Sequence, residues 1–417
     1  MTARPAWSLA DSYRFFVAYS TRVRPAGSCR HFSKYYTAPA VTKRAGVRPG
    51  TTPPRLRVSL DSTPTYLGHF SSRGNRLENE DRYDLSVLTL PARSSLAPRS
   101  QSGPATRSVF SFGVFDGHGG AQCSDFLDAD LVRYVEDCDL HSADALEALW
   151  RDNIGGYWKR WKGQFEKYRA QIGLDNDLAL RLPLAFLKAD YDFTMTGTAS
   201  GSTCTTVYLW SEDPDQPYWA PHPAKLVVSH VGDTRCVLCD RDGVAHALTV
   251  AHHPSSPVES RRLRRYASNF FTDSFGEERY GSFANTRSFG DRRMKQLGVS
   301  AEPDITEVDL GNPKSDRGFG GNEPFLVLMS DGVSGFASDQ EIVDVATSVG
   351  YNSGFMRGTP QDAAREIVKY AEAVGGDDNA TCIVVRLAGW GQWNKPLDRT
   401  GDIREYRIKN ALDKRRQ

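Results

Sequence analysis

No run of about 18 apolar residues occurs in the 417-residue chain, which excludes a membrane-spanning helix of ordinary length. Cysteine is scarce and irregular. There are seven, an odd number scattered through apolar stretches. That argues against a disulfide framework and for a reducing compartment. The one C-x-x-C spacing, Cys236 and Cys239, has no second pair to complete a zinc set. On a strand its odd separation sends the two thiols to opposite faces. No internal repeat is visible. Acid is nearly missing from the first 60 residues, which hold eleven Lys or Arg against the single Asp11. The remainder carries 41 basic and 50 acidic residues, a balance of −9. A mildly acidic body is a poor polynucleotide binder, so no nucleic-acid partner is expected.

What is present at the N-terminus reads as an address. Residues 1–50 are rich in Arg, Ser, Thr and Ala. Leu9, Tyr13, Phe16 and Val17 fall at helical spacing with Arg14 and Arg22 to one side. This is the composition of a mitochondrial transit peptide. Arg30-His31-Phe32-Ser33 resembles a presequence cleavage site, with cutting after Phe32. The expected location is therefore mitochondrial, in the matrix or the intermembrane space. A disordered basic arm is the alternative reading. Residues 51–65 read as a Pro/Thr-rich linker, 66–388 as the folded body, and 389–417 as a basic, Trp-containing tail.

Within the body, acid is placed at strand ends. Val109–Gly120, VFSFGVFDGHGG, is a β-branched and aromatic run that stops at Asp116 before a glycine-rich turn. Taken alone it also suits a hairpin turn, because Asp-Gly is a common hairpin signal. The pattern recurs, however. Phe325–Asp331 is a second apolar strand ending in Asp331-Gly332. Asp377 and Asp378 precede a third, Thr381–Val385. Glu80 and Asp81 follow Arg76 in RLENED. Carboxylates gathered at one end of a sheet repel unless cations sit between them. Oxygen donors of this kind suit hard divalent ions, which activate a water as nucleophile.

Between these points the chain alternates strands with helices, which predicts a layered α/β body. Helices are expected over 121–138 and in pieces over 142–196, where Trp150, Trp158 and Trp161 are packing residues. A strand is expected over Gly201–Trp210, and a strand pair over Leu226–Cys239 turning at Gly232-Asp233. A basic helix is expected over 257–268 and an amphipathic one over 360–374. A flexible loop is expected over 91–108.

In chain order, Arg76–Asp81, Phe115–Gly120, Gly201-Ser202-Thr203 and Gly232-Asp233-Thr234-Arg235 resemble the motifs of metal-dependent protein phosphatases of the 2C type. Arg287–Asp291, Ser330-Asp331-Gly332 and Asp378-Asn379 continue the series. Each motif is weak alone, and seven in order are specific. The resemblance spans about residues 66–387. It implies a sandwich of two antiparallel β-sheets flanked by α-helices, with two Mn²⁺ or Mg²⁺ ions at one end. Asp116 would bridge the ions and Gly117 would lend its carbonyl. Asp331 and Asp378 would hold the second ion, and Glu80 and Asp81 would act directly or through water. Arg76 would clamp phosphate, since guanidinium matches its oxygens bidentately; an ion pair with Glu78 or Glu80 is the alternative. His118 would be the general acid for a leaving seryl or threonyl oxygen. The implied substrates are phosphorylated proteins.

Four places depart from the family pattern. Gly335 stands where a carboxylate would help Asp233 and Asp331 hold a third ion, so that site is expected to be weak or absent. His230, Ala251 and the Asn285-Thr286 pair depart on the substrate side. A second reading therefore stands beside the enzyme: a weakened relative with the same fold that acts as a binding or regulatory module.

Overall fold

The computed structural model describes residues 34–39, 55–91 and 106–416, leaving out 162–164, 171–175, 214–215, 265–268, 275, 277, 282, 353–357 and 395–397. Residues 1–33, which carry most of the expected transit peptide and its cleavage site, lie outside the described residues, as do 92–105 of the expected loop.

The strand Thr106–His118 is buried on both sides. Phe110, Phe112 and Val114 face one core and Val109 and Phe115 the other, as the two-residue period of a strand dictates. It lies inside a seven-stranded sheet. From edge to edge this sheet runs Gly318–Phe319, Asp304–Leu310, Ala224–Val231, Gly201–Ser211, Thr106–His118 and Arg82–Pro91, with Phe289–Gly290 pairing beside Gly201–Ser211. A second sheet runs Leu67–Ser72, Ala380–Arg386, Phe325–Met329, Arg235–Cys239 and Ala245–Ala247. Neighbours are antiparallel except at the short Gly318–Phe319 edge.

The inner faces meet in a shared core that includes Phe112, Val228, Leu238, Leu328 and Ile383. Helices Gln122–Glu136 and Leu178–Met195 cover the outer face of the larger sheet. Asp339–Asn352 and Pro360–Ala373 cover the smaller one. Helix Pro360–Ala373 begins with a reciprocal cap between Thr359 and Asp362 and buries Ala363, Ala364, Ile367, Val368 and Ala371. The expected α/β sandwich is thus the observed fold. Trp150 and Trp158 stack at 4.2 Å in a lateral cluster, as packing residues.

Two sequence expectations need correction. Ala224–Val231 and Arg235–Cys239 are not a hairpin. The turn at Gly232-Asp233 leaves one sheet and enters the other. Both strands are apolar on both faces, so periodicity could not separate a hairpin from a crossing. Cys236 faces the inter-sheet core and Cys239 the helices, on opposite faces as expected. The structured body also begins before residue 66. Tyr35–Pro39 pairs with Arg55–Ser59, and Tyr36 is buried 4.8 Å from the Phe110 ring. The C-terminal segment, whose order the sequence leaves open, packs against the body. Trp390 and Trp393 are buried, and Gly401–Arg416 is a helix whose Arg407 grips Glu341 and the Phe336 carbonyl. Of the helix expected over 257–268, Pro257–Leu263 is observed, and residues 265–268 lie outside the described residues.

Candidate active site

The two sheets bring their acidic strand ends to one place. Asp116 comes from the larger sheet, Asp331 from the smaller, and Asp233 from the turn that crosses between them. Ligand oxygens of these three carboxylates all lie within 4.8 Å of one another. The Asp331 N–H points at Asp116 Oδ2 across 3.4 Å. Burial, followed by the charges of Asp331, Asp81 and Asp233, pushes the Asp116 carboxyl well above the usual range. Burial and the Asp233 charge push Asp331 up to about 7.

Asp81 sits behind them, 3% exposed, and is pushed up to about 6, chiefly by burial. Ser330 Oγ donates to its Oδ2 at 2.8 Å, while Oδ1 is buried without a hydrogen-bond partner. The Thr203 hydroxyl, on the same cleft, is likewise buried and unpartnered. Converging carboxylates with orphaned oxygens are a chemical fit to hard divalent cations.

The remaining expected ligands are engaged elsewhere. Glu80 Oε1 accepts the Gly120 N–H at 2.9 Å, and its carbonyl accepts from Ser124 Oγ at 2.5 Å. A Cβ at Gly117 would come within 2.5 Å of that carbonyl, so only glycine lets the two segments approach. Asp378 lies outside the three-carboxylate group. Its Oδ2 accepts from Arg76 Nη2 at 2.6 Å and its Oδ1 from the Asn379 N–H at 2.7 Å. Arg76 therefore pairs with Asp378 rather than with Glu78 or Glu80. Its side chain is 59% exposed. An ion pair this open contributes about 0–1 kcal/mol and is readily exchanged for a phosphate.

His118 closes the strand and lines the same cleft of about 740 Å³, together with Arg76, Asp116, Asp233, Asp331 and Asp378. Burial alone would lower its pKa. The hydrogen bond and charge of Asp291 outweigh that and raise it. The Asp291 contact, 2.9 Å from Nε2, was not foreseen, although Asp291 belongs to the Arg287–Asp291 motif. Asn285 was noticed only as a departure. Its Nδ2 donates to Asp233 Oδ2 at 2.8 Å.

The model of the family described as "Protein phosphatase 2C" matches residues 89–380. Protein phosphatase 2C homolog 4 of Schizosaccharomyces pombe is 37% identical over 348 residues, covering 81% of this chain and 84% of the relative. Protein phosphatase 1K, mitochondrial, of Xenopus laevis is 28% identical, covering 78% of this chain and 69% of its own. Among solved structures, a serine-threonine phosphatase 2C from Toxoplasma gondii superposes with a TM-score of 0.51 at 18% identity, covering 78% of this chain and 95% of its own. The chain is therefore a protein serine/threonine phosphatase. It belongs to the protein phosphatase 2C family.

Proposed function

We propose that this phosphatase hydrolyses phosphoseryl and phosphothreonyl proteins in mitochondria with two bound Mn²⁺ or Mg²⁺ ions. The observation that carries the reading is the convergence of Asp116, Asp233 and Asp331 on a cleft that Arg76 and His118 also line. Asp116, Asp331, Asp378, Glu80, Asp81 and the Gly117 carbonyl would hold the ions. Bound there, they would acidify a water and draw charge from the phosphoryl oxygens. Arg76 exchanges Asp378 for the substrate phosphate and fixes its orientation. His118 hands a proton to the departing seryl or threonyl oxygen. With Gly335 offering no carboxylate beside Asp233 and Asp331, the reading takes two ions rather than three.

Mitochondrial location is supported by the basic, acid-poor residues 1–33 and by likeness to a relative named as mitochondrial. The test is hydrolysis of a phosphothreonine peptide across Mn²⁺ and Mg²⁺ concentrations, beside an EDTA control and an oligonucleotide. Phosphopeptide turnover that needs metal, with the oligonucleotide intact, is the expected result. A protein that binds metal and phosphopeptide without turnover would instead be a regulatory module.

A further inference from the structure

Asp291 is held in place by more contacts than a turn residue needs. It is the one non-glycine residue with positive φ among the described residues, at 47°. Such backbone outliers persist only where their surroundings over-determine them. Here the surroundings do. Asp190 Oδ1 accepts the Gly290 N–H at 2.8 Å, and Lys295 Nζ bridges Asp190 Oδ2 at 2.6 Å to the Ser288 carbonyl at 2.8 Å. Asp190 and Lys295 are both fully buried. The segment on either side of Asp291 is therefore clamped to helix Leu178–Met195.

The carboxylate so placed is 4% exposed. Its Oδ2 lies 2.5 Å from the Ser288 Oγ donor and 2.9 Å from His118 Nε2. The contact also requires an absence. A Cβ on Gly201 would come within 2.3 Å of His118 Nε2 and 2.5 Å of Asp291 Oδ2. Gly201, opposite His118 in the adjacent strand, thus leaves the gap through which the two groups meet. His118 Nδ1 has no hydrogen-bond partner among the described residues, and the ring lines the cleft.

We propose that Asp291 is the positioning residue for His118: it fixes the ring by accepting from Nε2 and so leaves Nδ1 to serve the leaving oxygen of the substrate. The inference rests on His118 being the proton donor. As the water oxygen bonds to phosphorus, the bond from phosphorus to the seryl or threonyl oxygen breaks. That oxygen takes the Nδ1 proton. The attacking water sheds its own proton to solvent, and solvent returns one to the ring. A carboxylate behind an imidazole acts in this way wherever a single ring orientation is needed.

The experiment compares two substrates. A phosphothreonine peptide needs its leaving oxygen protonated, whereas 2,4-dinitrophenyl phosphate expels a stable phenolate unaided. Asp291→Gly removes the carboxylate and tolerates φ 47°, and Asp291→Asn keeps the size. With metal binding and thermal unfolding close to wild type, both should lose kcat on the peptide by about 10²- to 10⁴-fold, the usual range for general acid–base catalysis. KM and dinitrophenyl phosphate turnover should change little. His118→Ala should show the same split, and the His118→Ala/Asp291→Gly pair should be no worse than His118→Ala alone. Equal loss on both substrates, full peptide activity in the Asp291 variants, or additive losses in the pair would overturn the proposal. If His118→Ala alone leaves the peptide rate intact, the donor assignment fails, and the proposal with it.

Discussion

Ser330 Oγ donates to Asp81 Oδ2 at 2.8 Å while accepting the Thr381 N–H at 2.9 Å. One buried hydroxyl thereby joins the acidic loop before Arg82–Pro91 to two central strands of the opposite sheet. Ser330→Ala strips Asp81 of that donor and leaves the Thr381 N–H unpaired. Unmade buried hydrogen bonds cost about 1–3 kcal/mol each. The expected outcome is a lower unfolding midpoint in EDTA, together with weaker Mn²⁺ binding by calorimetry. An unchanged midpoint and affinity would remove Ser330 from the scaffold of the site.

The acidic cluster should make the metal-free protein less stable as pH rises. Asp331 is held at about 7 and Asp81 at about 6, and Asp84, buried with Oδ2 unpartnered, at about 7. Unfolded aspartates titrate near about 3.9, so from about pH 4 to 7 the folded state binds more protons than the unfolded one. Stability is then greatest at the acid end of that window and declines through it. Urea unfolding in EDTA at several pH values measures the slope. Asp84→Asn should flatten part of it without altering metal affinity, and saturating Mn²⁺ should remove most of what remains. A slope of the opposite sign would contradict these buried, proton-holding carboxylates.

The N-terminal boundary can be cut in two places with different results. Deleting residues 2–33 removes the expected import signal and spares the Tyr35–Pro39 strand, so a stable, active enzyme should remain in the cytosol. Deleting 2–54 also removes Tyr36, which is 5% exposed between Phe110 and Trp219. Losing a large buried aromatic costs about 3–5 kcal/mol. Fluorescence imaging and thermal unfolding of the two truncations check both points. Continued mitochondrial import of the shorter deletion would refute the presequence.

Most of the architecture was legible because each central strand carries its own pattern. Val109–Phe115 and Phe325–Met329 announce themselves by composition, and helix Pro360–Ala373 by apolar spacing. The partners of those strands were less legible. Both sides of Gly232-Asp233 are apolar, and which sheet each joins is decided by long-range packing. In the site, Asp116 and Asp331 were readable from strand ends followed by glycine. The Asp291 contact with His118 was not, because it spans 173 residues and depends on a missing Cβ at Gly201. The Asp378 partner of Arg76 was hidden for a similar reason: Asp378 is 302 residues away in sequence and adjacent only in the fold.

Lys295 and Asp190 form an ion pair from which water is excluded. Removing one member of such a pair leaves a buried, uncompensated charge and costs about 3–5 kcal/mol. Burial already raises Asp190 to about 6 even beside its lysine. Lys295→Met should therefore unfold at a much lower urea concentration, and Asp190→Leu combined with Lys295→Met should recover part of the loss. If the single variant were as stable as wild type, the pair would carry no structural role.

Asp331 allows fold and chemistry to be separated. The strand before it, Phe325–Met329, is fully buried and paired on both sides, so packing fixes the Asp331 backbone independently of any ion. Asp331→Asn preserves the size and an oxygen while removing one charge from a group whose members already raise each other's pKa. In EDTA near pH 8 the variant should equal or exceed wild type in thermal stability, because like-charge repulsion falls. With metal the order reverses. A neutral amide is a weaker ligand for a hard cation, so Mn²⁺ affinity drops, and the acidity conferred on the attacking water drops with it. Turnover of a phosphothreonine peptide should decline by orders of magnitude and be rescued only in part by excess Mn²⁺. Near-native turnover in this variant would remove Asp331 from the metal set. A collapse of stability in EDTA would show that its charge serves the fold instead.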